Sequence, residues 1–191
     1  HRYSSAASDV YKRQLFALIK SEQTPTTDLI LAPEKYFTEG YGYSLPRLSS
    51  SFLYQSISEE LSQIEPIQLL TGIQLYQVYS KVDKTPTSNK MGNQWVDFYN
   101  SAVLIGTNNL QVYHKSKLVV GIETLPYKQI IEPLFGNIML DLGGTVRSRA
   151  VDTNRKVFQL KNGSKVGPII CYESVYGSFV GGYVRNGAEF L

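Results

Sequence analysis

Between Leu53 and Tyr76 the chain changes its hydrophobic period, and that change constrains the fold more than any other stretch. Leu53, Ile57, Leu61 and Ile64 recur at steps of 4, 4 and 3, the spacing of one apolar stripe on a helix. Pro66 stops the pattern. "IQLLTGIQLY" follows at once and reads as a strand. A helix that feeds directly into a strand must lay its stripe on a sheet, so the chain is expected to be a layered α/β fold.

The remaining segments extend that pattern. "LFALIK" (15–20) reads as the last turns of a helix, and "TTDLILAP" as a short strand buried on both faces. Residues 81–94 are polar, carry Pro86, Gly92 and Asn93, and read as a loop. "WVDFYNSAVLIGT" and "LQVYHKSKLV", separated by "NN", read as a hairpin. Residues 121–150 read as a long loop, unusually apolar for one, with Leu125, Tyr127, Ile130, Leu134 and Phe135 among its side chains. "KVFQLKNGSKVGPIICYE" reads as two strands around a turn at Asn162 and Gly163. Residues 174–186 can form a helix.

The ends fit poorly. "HRYSSAASDVYKRQ" is polar and without periodicity, so residues 1–14 are expected to be a non-native or unstructured leader ahead of a domain at 15–191. "GAEFL" starts a strand and stops, which suggests a truncated piece. A sheet lacking its last strands would expose an edge, so the isolated piece is expected to be inactive and aggregation-prone.

Composition excludes some classes. With 42% hydrophobic and 18% charged residues the chain buries a real core. A net charge of +3 does not demand a nucleic-acid partner. Arg147, Arg149, Arg155, Lys156, Lys161 and Lys165 form the densest basic stretch, diluted enough to read as a solvated loop face. A single cysteine forms no internal disulfide, and His1 and His114 with one Cys do not make a usual zinc site. No apolar run approaches the roughly 18 residues that span a bilayer.

Chemistry concentrates where apolar runs end. Glu34 follows "LILAP", Lys115 ends "VYHK", and Cys171 ends "VGPIIC". A thiol needs a base or a cation nearby to act as a nucleophile. His114 is the only internal imidazole, and a Cys–His pair is one solution; a Glu base with a Lys cation is another. Lys115 and Lys117 share a strand face, so periodicity does not choose between them. Glu123 and Glu173 are further carboxylates beside strand ends.

"APE" after one strand, "YHKSKLV" with a following Glu after a second, and "ICYES" after a third resemble, in order and spacing, the three signature segments of the nitrilase (carbon–nitrogen hydrolase) superfamily. The resemblance implies an αββα sandwich with mixed sheets, here incomplete at the C-terminus. It implies Glu34 as base, Lys115 rather than Lys117 as the site cation, and Cys171 as nucleophile. "YHKSKLVVGIE", "ICYE", "NSAVLI" and "NGAEFL" are similar to the apolipoprotein N-acyltransferase branch. That implies supporting roles for Glu123, Tyr172 and Glu173, and no metal or organic cofactor. It also implies a phospholipid acyl donor and a diacylglyceryl-cysteine apolipoprotein acceptor. The whole protein would sit in a bacterial inner membrane with this domain on the periplasmic side, and the apolar 121–150 loop would be a lid over lipid. "VVGIE" and "PEKYF" depart from that branch's "VPFGE" and "PETA". The alternatives are a soluble amidase or nitrilase, with water as acceptor, and a non-catalytic domain of the same fold.

Overall fold

A computed structural model describes residues 2–38, 40–107, 109–119, 123 and 148–191. Helix α1 spans Arg2–Glu22 and α2 spans Phe52–Ser62. The strands are β1 (Leu29–Leu31), β2 (Tyr43–Ser44), β3 (Gln68–Tyr79), β4 (Asn89–Met91), β5 (Gln94–Gly106) and β6 (Asn109–His114). They are followed by β7 (Phe158–Gln159), β8 (Lys165–Val166) and α3 (Gly177–Arg185).

β1 through β6 form one mixed sheet. β1 and β2 lie parallel to β3, and β3, β4 and β6 lie antiparallel to β5. β7 and β8 pair antiparallel, and Phe190 bridges Val166 in parallel. Alternation along β3 and β5 sends side chains to two different cores. Leu69, Ile73, Leu75, Tyr99, Val103 and Ile105 pack under α1 and α2, against Phe16, Ile19, Ile57 and Leu61. Leu70, Ala102 and Leu104 face the other way, toward Phe158, Val166, Ile170, Phe179 and Tyr183. The result is helices, sheet, second sheet and helix, the predicted αββα layering.

The expected stripe of α2 is buried at Leu53, Ile57 and Leu61. Ser51 caps it, its Oγ accepting the Tyr54 N–H at 3.2 Å, a contact worth about 1 kcal/mol.

Four expectations change. Helix α1 runs back through the supposed leader, which is therefore not unstructured. Tyr11 lies edge-on to Tyr36 at 6.1 Å, and its carbonyl accepts the Tyr36 hydroxyl at 3.2 Å. Strand β1 is not buried on both faces, because Leu31 is 75% exposed toward an open cavity. The 81–94 loop contains β4, paired to β5 across a turn at Gly92, whose positive φ suits glycine. The basic stretch is a solvated face only in part: Lys156, Lys161 and Lys165 are exposed, whereas Arg149 and Arg155 are half-buried. Arg155 donates to the Phe179 carbonyl at 2.8 Å and covers its ring, Lys156 pairs with Asp152, and Lys161 pairs with Glu65. Apart from Glu123 and residues 148–150, the long apolar loop lies outside the described residues.

Candidate active site

The inner face of the large sheet carries the site. Asn100 is a polar residue in the middle of β5 and is fully buried. It stands opposite Gln74 of β3, and its carbonyl accepts the Lys115 N–H at 2.8 Å where β6 ends. Strand pairing therefore delivers the Lys115 side chain to Asn100.

Glu34 arrives from the other edge. After β1 the chain turns against β3, with Gly72 N–H donating to Pro33 O at 3.1 Å and Phe37 N–H to Gly72 O at 3.2 Å. A Cβ at Gly72 would collide with the Glu34 and Lys35 backbone, so glycine is what lets this turn dock. Lys35 takes φ 54°, in the left-handed region, to make the turn.

The charged groups meet on one amide. Asn100 Nδ2 donates to Glu34 Oε1 at 2.6 Å and to Glu123 Oε1 at 3.0 Å. Lys115 Nζ lies 2.9 Å from Glu123 Oε2 and 3.5 Å from Glu34 Oε1. Its side chain is 1% exposed. Two carboxylates thus share one buried ammonium and one amide donor. Burial pushes the Glu123 carboxyl up, but Lys115, the Val119 N–H and Asn100 together outweigh burial and hold it below the ordinary range. Lys117 goes elsewhere, its ammonium 5.8 Å from the rings of Tyr176 and Phe179. Of these two lysines, it is Lys115 whose ammonium reaches Glu34 and Glu123.

Cys171 opens a 3-10 turn, Cys171–Val175, with its own φ at 49°. The turn is fastened by Glu173, which is fully buried. Glu173 Oε1 accepts from the Tyr113 hydroxyl at 2.5 Å, Ser116 N–H at 2.6 Å and Lys117 N–H at 3.3 Å. Its Oε2 accepts the Ile170 N–H at 2.9 Å. A carboxylate, an acceptor at both oxygens, suits this donor set. Glu173 therefore ties the cysteine turn to the residues that follow Lys115. Tyr172 takes no part in the cluster and lies edge-on to Tyr176 at 5.3 Å.

Cys171 is exposed, and it shares with Glu34 the wall of a cavity of about 670 Å³. Leu29, Leu31, Leu70, Val166, Ile170 and Phe190 make much of the remaining wall apolar. His114 is not brought to the thiol. Its ring stacks on Tyr99 at 4.2 Å and its Nδ1 lies 2.7 Å from Ser101 Oγ. Burial, helped by Lys156 and opposed by Asp152, pushes its pKa down to about 4, so the ring is neutral near pH 7. Among the described residues no cluster of three or more His, Cys, Asp or Glu side chains is placed to hold a metal ion.

Sequence reasoning missed Asn100 and Tyr113. The signal for Asn100 was present: an amide inside the apolar run "VLIG" and "WVDFY" must find partners once buried.

The αββα sandwich thus brings a carboxylate and an ammonium together beside Asn100, and that carboxylate shares a cavity wall with the Cys171 thiol. The chain matches the carbon–nitrogen hydrolase family over residues 16–191 and belongs to it. It is also similar to an apolipoprotein N-acyltransferase of Wigglesworthia glossinidia brevipalpis, 29% identical over 101 residues. That match covers 50% of this chain and 19% of the relative, so the chain spans about a fifth of the relative's length. No helix among the described residues is long and apolar enough to cross a membrane.

Proposed function

We propose that the protein carrying this chain transfers an acyl group from a phospholipid to the N-terminal amine of a diacylglyceryl-cysteine lipoprotein. The observation that carries the reading is the convergence of Glu34, Lys115 and Glu123 on Asn100, with Glu34 sharing a cavity wall with Cys171. The choice of acyl transfer within the family rests on the likeness to an apolipoprotein N-acyltransferase and on the apolar wall beside the thiol.

Glu34 takes the thiol proton as Cys171 Sγ attacks the ester carbonyl. Lys115 stabilises the oxyanion of the tetrahedral intermediate. The intermediate collapses to a thioester, and Glu34 returns its proton to the departing lysophospholipid alkoxide. The lipoprotein amine then attacks the thioester and gives a proton to Glu34. The amide forms, and the thiolate leaves and regains that proton. Glu123 orients Lys115, and Glu173 holds the cysteine turn. The cycle uses no metal or organic cofactor. Both substrates are lipids, so the reaction belongs at a membrane surface, the periplasmic face of a bacterial inner membrane.

The test uses membranes containing the protein encoded by the complete gene and a phospholipid with a labelled acyl chain. A hydroxylamine-sensitive label on the protein, absent from Cys171→Ala, is expected. No label, with ammonia released from small amides instead, would replace the reading with a soluble-type amidase.

A further inference from the structure

Arg149 stands beside this cluster on a segment fastened at both sides. Ser148 is clamped by Asn89, whose Oδ1 accepts the Ser148 N–H at 3.0 Å and whose Nδ2 donates to its carbonyl at 2.8 Å. Ala150 is buried and donates its N–H to the Phe98 carbonyl at 2.9 Å. Between these anchors the Arg149 side chain runs over the sheet to Gln74. Its Nη1 and Nη2 lie 3.5 and 3.4 Å from Gln74 Oε1, long contacts to a neutral acceptor. Its Nε is buried and finds no acceptor among the described residues. A guanidinium retained for hydrogen bonding would have better partners.

Gln74 is the cross-strand neighbour of Asn100, the amide that holds both carboxylates. The charge count then becomes informative. Glu34 and Glu123 bring two negative charges to one amide, and Lys115 brings one positive charge. Like charges this close repel, and a second cation nearby would offset that repulsion. Arg149 is a further cation on this stretch of the sheet, reaching Gln74 beside Asn100. No ion pair joins it to either carboxylate among the described residues, so it acts through space, where a half-buried charge is weakly screened.

We propose that Arg149 is a positioning residue: its guanidinium balances the second carboxylate of the Glu34–Glu123 pair and keeps Glu34 able to accept the Cys171 proton. This rests on the reading of Glu34 as the base. The burial that lowers the guanidinium's own pKa is opposed by Glu123 and Glu34. Among the described residues, the charged or titratable groups around Glu34 are Lys115 from the end of β6, Glu123, Arg149, Lys35 on its own turn, and Cys171 across the cavity. His114 turns to Ser101 on the opposite face of the sheet.

The test is the pH dependence of Cys171 alkylation by iodoacetamide, read on the Cys171 peptide by mass spectrometry, in the protein encoded by the complete gene. This readout needs no acyl donor. Arg149→Met should move the acid limb of the rate profile up by about one pH unit, a tenfold slower reaction on the acid side. Arg149→Lys keeps the charge and should stay near the parent profile. In a Glu123→Gln background, where one negative charge is already gone, Arg149→Met should move the limb little. A Met variant whose profile overlays the parent, or a Lys variant shifted as far as the Met variant, overturns the proposal. Glu34→Gln separates the two ideas. If it moves the limb up to the range of an ordinary thiol while Arg149→Met leaves the parent profile intact, only the role of Arg149 falls; if it leaves the limb in place, the base assignment falls and the proposal with it.

Discussion

Glu173→Gln is the most informative single change in the cysteine turn. The substitution keeps shape and one carbonyl oxygen, which can still serve Tyr113, Ser116 and Lys117. The other oxygen becomes an NH2 facing the Ile170 N–H, which now donates to Glu173 Oε2 at 2.9 Å. One buried bond is lost and one buried N–H is orphaned, a cost of about 1–3 kcal/mol. The remaining contacts lose their charge assistance, so about 2–3 kcal/mol in all is expected. For a domain of this size that lowers Tm by about 4–10 °C. Glu173→Ala strands the Ile170 and Lys117 N–H groups, while the Tyr113 hydroxyl keeps Ser116 Oγ and the Ser116 N–H keeps Tyr113 Oη, and it should cost more. Because the same carboxylate ties the cysteine turn to the segment after Lys115, the Gln variant should also slow Cys171 alkylation more than its melting shift alone would at room temperature. Differential scanning fluorimetry and peptide-resolved alkylation read the two effects separately. A Gln variant that melts within about 1 °C of the parent and alkylates within about twofold would refute the clamp, since a lost buried hydrogen bond cannot be that cheap.

Three further outcomes follow from the site. Lys115→Met should reduce thioester formation by about a hundredfold or more, as loss of an oxyanion-stabilising group does, whereas Lys117→Met should leave it within about threefold; equal losses would contradict the ion-pair geometry. Asn100→Asp places a third carboxylate against Glu34 and Glu123. It should cost about 2 kcal/mol or more at neutral pH, with part recovered on acidification as a proton enters the cluster, and urea unfolding at pH 7 and pH 5 checks this. The folded-state pKa of His114 is lowered from 6.5 to about 4, so the unfolded chain binds that proton first as pH falls. Stability should therefore decline from about pH 6.5 toward pH 4, and His114→Asn should flatten that decline in urea titrations.

What was legible in the chain and what was not divides along physical lines. Glu34, Lys115 and Cys171 each stand where an apolar run meets polar residues, so strand boundaries exposed them. The α2 stripe and the Asn162-Gly163 turn were legible because each is a local pattern. Asn100 was readable as an amide that needs partners once buried, but those partners come from residues 34 and 123, which no window of sequence around it contains. Arg149 looked like one of several solvated charges, because charge alone does not reveal that Asn89 and Phe98 fasten the backbone on both sides of it. The burial assigned to Leu31 failed because an apolar run reads the same whether its second face meets a core or a cavity. Strand β4 was lost to its polar composition, since three residues paired to β5 need no apolar content to close a ladder.

The backbone at Cys171 carries a cost of its own. At φ 49° a residue with a Cβ sits in a conformation that glycine adopts freely, and the difference is about 1 kcal/mol. Cys171→Gly would therefore relax the turn while deleting the thiol. With Cys171 as the proposed nucleophile, selection for thermal endurance alone would enrich a variant without it, and only selection for turnover would hold the sulfur in place. Heat resistance and catalytic competence pull in opposite directions at this one position, so a thermotolerant library of this protein should be sequenced at Cys171 before it is assayed.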